Sequence, residues 1–177
     1  QGVVMLGHIK VLEREFSLLG NMLRTGQKAP ACVLTNGNMN DVSLEHYKGH
    51  IVILVIMPSL DTPTCTLEAK HFNMQASLLS DKIKIIVVSK DLPFTQAKWC
   101  MAKNADNIIT LSAYKNNDFA KAYGVLLEHL EILARAVFII DEEGIIRYIQ
   151  YVKDLSKEPD YESVLEAVKA LSEEKRK

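Results

Sequence analysis

The stretch Ile51-Val52-Ile53-Leu54-Val55-Ile56-Met57, followed at once by Pro58-Ser59-Leu60-Asp61-Thr62-Pro63-Thr64-Cys65, decides how this chain folds. Its opening run is apolar throughout and mostly β-branched. With no polar alternation, it reads as a strand buried on both faces. Pro58 lacks the N–H that a central strand needs, so it ends the run. Beyond the loop, Cys65, Ala69, Phe72, Ala76 and Leu79 recur at intervals of four, three, four and three, which makes one apolar helical stripe. A buried strand leading through a polar loop into a helix is the first half of a β-α-β unit. Ligands of open α/β sheets sit at the carboxyl end of such strands.

The flanking sequence extends this pattern. Residues 83–89 form a second central strand, and Pro93 starts a helix over 94–103. A strand over 108–111 and a short helix over 118–123, closed by Gly124, come next. Strands 136–140 and 145–151 form a hairpin around Asp141-Glu142-Glu143-Gly144, and Pro159-Asp160 leads into a helix over 161–171. Upstream, 33–34 and 42–44 are short strands around Asn36-Gly37-Asn38. In the first 30 residues, Ile9, Leu12, Phe16, Leu19 and Leu23 fit helical spacing. The β-branched Val3, Val4, Ile9 and Val11 around a Gly7-His8 turn fit a hairpin better. No repeat or Pro-rich linker divides the chain. The expectation is one α/β domain over 1–177, a mixed sheet flanked by helices on both faces, with 1–25 as an N-terminal β-hairpin extension.

Composition narrows the function. Of 177 residues, 48% are hydrophobic and 24% charged, as in folded rather than disordered chains. The 21 Lys and Arg nearly balance 22 Asp and Glu, so no electrostatic match to nucleic acid or an anionic membrane is expected. The longest apolar run, 51–57, is far shorter than the ~20 residues of a membrane helix. Three cysteines, Cys32, Cys65 and Cys100, are too few for a disulfide scaffold, and their odd number suits a reducing compartment or redox chemistry. No metal site is expected. There is no Cys-x-x-Cys pair, and Gly49 interrupts the spacing of His46 and His50.

Cys65 is the residue with most chemical promise. Thr62 is a good N-cap and Pro63 a good first helical residue, which puts Cys65 in the first helical turn. Unpaired N–H groups and the positive end of the helix dipole favour an anion there. An ordinary thiol is only about 3% ionised at pH 7, so such a setting multiplies the reactive thiolate. The alternative is that Cys65, lying on an apolar stripe, is a small buried hydrophobe. His71 lies six residues on, about 240° around the helix at ~100° per residue, so it points away from Cys65. Cys32, beside Pro30-Ala31, reads as a buried structural cysteine.

The pattern Pro58-x-x-x-Thr62-x-x-Cys65 resembles the peroxidatic-cysteine motif of the peroxiredoxins, and its surroundings resemble the bacterial thiol peroxidase branch. The resemblance runs through Phe72-Asn73, Asp91-Leu92-Pro93-Phe94, Cys100, Ala122-Tyr123-Gly124, Ala134-Arg135-Ala136-Val137, Asp141 and Pro159-Asp160-Tyr161. Cys32 and the segment 126–133, which lacks a Gly-Pro turn, depart from the family pattern. The resemblance implies a thioredoxin-like fold and a thiol-dependent peroxidase without metal, haem or flavin. It implies a hydroperoxide substrate, thioredoxin as reductant, a homodimer and a cytoplasmic setting.

It also assigns roles by residue. Cys65 becomes the nucleophile that is oxidised to a sulfenic acid. Pro58, Thr62 and Arg135 bind substrate: Pro58 shields the sulfur, the Thr62 hydroxyl bonds the peroxide, and Arg135 favours thiolate and polarises the O–O bond. Cys100, 35 residues beyond Cys65, resolves the sulfenic acid as a Cys65–Cys100 disulfide. Both cysteines lie in helices, so forming the bridge requires local unwinding. Closing the loop contributes roughly 4 kcal/mol, comparable with losing a helical turn or two. Leu60 and Phe94 supply apolar surface suited to an organic hydroperoxide. Two other readings stay open: a redox sensor using the same activated thiol, and a non-catalytic thioredoxin-like binding domain.

Overall fold

A computed structural model describes residues 3–174; the first two and last three residues of the expected 1–177 unit lie outside the described residues. Strands β1 (Val4–Val11) and β2 (Arg14–Gly20) form an N-terminal hairpin, and β3 (Val33–Thr35) and β4 (Asp41–Ser43) follow. The central segment is β5 (Ile51–Ile56), α1 (Pro63–Ala76), β6 (Ile83–Ser89), α2 (Pro93–Ala102) and β7 (Ile109–Ser112). The chain continues through α3 (Asp118–Ala122), β8 (Leu126–Leu127), β9 (Ala136–Ile140), β10 (Ile146–Tyr151) and α4 (Tyr161–Glu174).

Seven of these strands form one sheet in the order β10-β9-β5-β6-β7-β3-β4. β5, β6 and β7 run parallel, with α1 and α2 as the crossovers that parallel pairing requires, and β9 lies antiparallel against the other side of β5. All six residues of β5 are buried, and their alternation divides the core in two. Val52, Leu54 and Ile56 face Phe119 and Ala120 of α3 and Ile9 and Leu18 of the hairpin. Ile51, Ile53 and Val55 face Cys65, Ala69 and Phe72 of α1, Trp99 of α2, and Val164, Val168 and Leu171 of α4. The expected mixed sheet with helices on both faces is thus formed. Burial of each such aliphatic side chain contributes about 1.5–3 kcal/mol.

Two local expectations are corrected. The hairpin reverses at Leu12-Glu13, not at Gly7-His8: β1 runs straight through Gly7, whose φ of +151° accommodates a bulge where the register slips between Met5 and Gly7. Glycine here bends a strand instead of ending it. Helix α1 ends at Ala76, so Leu79 lies beyond it, although both residues still pack against the same core. The 126–133 segment makes its turn without Gly-Pro. Leu126 and Leu133 pair, while His129 and Glu131 take left-handed φ angles of 71° and 57°.

Candidate active site

Strand pairing creates the site. Ile56, the last residue of β5, lies opposite Ala136, the first of β9, so Arg135 stands at the end of β5 from which the Cys65 loop departs. Three residues there are almost entirely enclosed: Cys65 at 0%, Glu68 at 0% and Arg135 at 1% exposure. Arg135 Nη1 donates to Cys65 Sγ at 3.3 Å and to Glu68 Oε1 at 2.6 Å, and Nη2 donates to the Leu155 carbonyl at 2.8 Å. Burial opposes the guanidinium charge, but Glu68 and Cys65 outweigh it and hold Arg135 above its ordinary value.

The first turn of α1 is built as the spacing predicts. Thr62 is the N-cap with an extended backbone, and its Oγ1 accepts from Cys65 N at 3.2 Å. The same hydroxyl donates to the Ser59 carbonyl at 3.2 Å, so its proton is engaged and one lone pair is left over. Pro58 is buried in the β5–α1 loop. Leu60 is also fully buried and presents no surface to a substrate, whereas Phe94 is 63% exposed.

Asp91 holds this loop in place. Its carboxylate accepts from Ser59 Oγ at 2.7 Å, Leu60 N at 2.9 Å and Ser89 Oγ at 2.7 Å. The Ser112 hydroxyl donates to the Asp91 carbonyl. Gln96 Nε2 donates to Ser89 Oγ at 3.0 Å and to the Leu111 carbonyl at 3.0 Å, tying the ends of β6 and β7 to the network.

Sequence reasoning missed Glu68. Glutamate is almost never fully buried unless paired. The available signal was its place three residues after Cys65, on the same helical face. Burial pushes its carboxyl up to about 7, against the opposing pull of the Arg135 charge and hydrogen bond.

Cys100 sits in the last turn of α2, half-buried, with Sγ 4.0 Å from Thr110 Oγ1, and packs against the core that contains Cys65. Burial raises its thiol above the ordinary value. Cys32 is buried among the opposite core, and burial pushes its thiol up to about 11, as suits an inert cysteine. His71 stacks on Tyr161 at 3.7 Å between ring centroids.

Comparison with known proteins agrees with this geometry. The family described as Redoxin matches residues 24–165. A thiol peroxidase of Halalkalibacterium halodurans is 39% identical over 154 residues, covering 87% of this chain and 92% of that protein. A thiol peroxidase of Bacillus subtilis is 37% identical over 155 residues, covering 88% and 92%. Among solved structures, a peroxiredoxin-like protein from Aquifex aeolicus superposes with a TM-score of 0.87 at 36% identity, over 94% of this chain and 98% of that one. A thiol peroxidase from Chromobacterium violaceum, 20% identical, shares the fold with a TM-score of 0.85 over 96% and 99% of the two chains.

Proposed function

The chain belongs to the redoxin family and is a thiol-dependent peroxidase of thioredoxin-like fold, and on that footing we propose that Cys65 is its nucleophile and Cys100 its resolving thiol. The observation that carries this reading is the 3.3 Å contact of Arg135 Nη1 with Cys65 Sγ at a capped helix N-terminus. A permanent cation and an N-terminal dipole on one sulfur favour thiolate.

In the cycle, the Cys65 thiolate attacks the terminal oxygen of a hydroperoxide. An S–O bond forms, the O–O bond breaks, and the leaving oxygen takes a proton to become alcohol or water. The Arg135 guanidinium stabilises the charge that moves onto that oxygen. Thr62 Oγ1 accepts from the terminal peroxide O–H through its remaining lone pair, and Pro58 keeps bulk water from the sulfur. Cys65 has no exposed surface, so substrate reaches it through local opening of the site. The Cys100 thiolate then attacks the Cys65 sulfenic acid, releasing hydroxide that is protonated to water and leaving the Cys65–Cys100 disulfide. Cys100 lies in the last turn of α2 next to exposed Met101, where fraying costs little.

A dithiol of the thioredoxin type regenerates both thiols by exchange. Hydrogen peroxide and organic hydroperoxides are the substrates, with exposed Phe94 available to the apolar portion of the latter. The family resemblance carries the homodimer, and a cytoplasmic setting goes with a dithiol reductant. The test is thioredoxin oxidation coupled to hydrogen peroxide and, in parallel, cumene hydroperoxide. Cys65→Ser should abolish turnover, because a serine hydroxyl is barely ionised near neutrality. Retained turnover would overturn the assignment. Fast stoichiometric oxidation of the unsubstituted protein with slow turnover would instead favour a sensor.

A further inference from the structure

Cys65, Glu68 and Arg135 are all buried at the start of α1, and only Arg135 is a permanent cation. Its Nη1 spends one N–H on Cys65 Sγ and the other on Glu68 Oε1, so the two acids share a single nitrogen. Glu68 Oε2 is buried without a hydrogen-bond partner. If both acids were ionised, the enclosed group would carry a net negative charge, which burial penalises heavily. With either acid ionised alone, the group is neutral.

The other groups facing Glu68 do not relieve this conflict. Glu158, in the loop before α4, adds negative charge and raises Glu68 further. Tyr161 of α4 donates its hydroxyl to Glu158 Oε1 at 2.7 Å, and His71 of α1 stacks on the Tyr161 ring. None of these is a permanent cation.

We propose that Glu68 is the proton-holding partner of Cys65, so that thiolate forms in the enclosed site as the Glu68 carboxylate takes up a proton and Arg135 exchanges one anion for the other. The inference rests on the assignment of Cys65 as nucleophile and deepens it. The balance is Cys65–SH plus Glu68–COO⁻ giving Cys65–S⁻ plus Glu68–COOH, with Arg135 cationic throughout. Peroxide reduction, from thiol and hydroperoxide to sulfenic acid and alcohol, takes up no net proton. The proton held by Glu68 therefore equals the one that the leaving oxygen needs. Burial already brings the Glu68 carboxyl to about 7, where either state is accessible near neutral pH. Glu68 acts through Arg135 and is a positioning residue.

Glu68→Gln keeps an acceptor for Arg135 but cannot ionise. Alkylation of Cys65 by iodoacetamide, followed on its peptide by mass spectrometry, should rise about twofold over the unsubstituted protein near pH 7, where the two acids share one proton, and converge with it near pH 5, where both are protonated. Equal or slower alkylation at both pH values would overturn the proposal, because that is what a purely structural Glu68 gives. An independent measurement, which needs no Glu68 variant, is the infrared carbonyl band of a buried neutral carboxylic acid. It should be stronger in the unsubstituted protein at neutral pH than in Cys65→Ser, where Glu68 has Arg135 to itself. An identical band in both would also overturn it. If Cys65→Ser is inactive while the alkylation profiles coincide, only the role of Glu68 fails; if Cys65→Ser turns over, the nucleophile assignment fails.

Discussion

Arg135 Nη1 stands 3.3 Å from Cys65 Sγ, although 70 positions separate the two residues in the chain. The antiparallel register of β9 on β5 carries the guanidinium to the Cys65 loop, and the Leu155 carbonyl and Glu68 hold it there. The contact therefore depends on the rigidity of a buried sheet, and several outcomes follow from it.

Arg135→Met should slow oxidation of Cys65 by peroxide by about two orders of magnitude, the usual cost of losing one preorganised charge-stabilising donor. Stopped-flow measurement of a single oxidation isolates this step from reduction. The variant should also lose about 3–5 kcal/mol of stability, because Glu68 is left buried without its cation. An unchanged oxidation rate would remove Arg135 from the site.

The pH dependence of stability should carry the signature of Glu68. Burial first, and Glu158 to a lesser degree, raise its carboxyl from 4.5 to about 7 against the pull of Arg135. A raised carboxyl binds its proton more tightly in the folded state than in the unfolded one. Its contribution is thus most favourable below its unfolded value and falls as pH rises toward the folded one. Relative to Glu68→Gln, the unsubstituted protein should lose about 3 kcal/mol across that window, measured by urea unfolding at several pH values. Parallel stability curves would show that Glu68 does not titrate there.

Cys100→Ser should leave the first oxidation of Cys65 fast while thioredoxin-linked turnover falls sharply. Peptide mapping of the unsubstituted protein after one equivalent of peroxide should find Cys65 joined to Cys100 within one chain and Cys32 as a thiol. In the variant the sulfenic acid persists and advances to sulfinic acid under excess peroxide. A Cys32 bridge, or full turnover in the variant, would refute the resolving role.

Asp91→Ala should cost about 1–3 kcal/mol, since it strips the acceptor from Ser59 Oγ, Leu60 N and Ser89 Oγ. Turnover should fall with it, because the loop that carries Thr62 then loses its two hydrogen bonds to the Asp91 carboxylate. Urea unfolding and turnover measured on the same preparation check both effects. Full activity in a destabilised variant would separate the network from catalysis.

Local pattern made most of this architecture legible. The run 51–57 reads as a two-sided buried strand and Thr62-Pro63 marks a helix start, so local pattern alone puts Cys65 in the first turn, where the structure has it. These are short-range matters of burial and capping, which spacing reports directly. Gly7 marks a bulge and not the expected turn for a related reason. Glycine signals a backbone freedom, and only the pairing of β1 with β2 decides that a bulge uses it.

The sequence by itself determined the strand and helix order and the helix-capped position of Cys65, and its resemblance to the peroxiredoxins singles out Pro58, Thr62, Cys100 and Arg135 as candidates. Only the tertiary structure decided that Glu68 is buried and shares Arg135 with Cys65, and that Asp91 holds the loop through two hydrogen bonds, its carboxylate braced by a third from Ser89 of β6. The physical reason is that a charged residue buries only against a partner, and the partner of Glu68 arrives from β9 by long-range strand pairing that no local periodicity encodes.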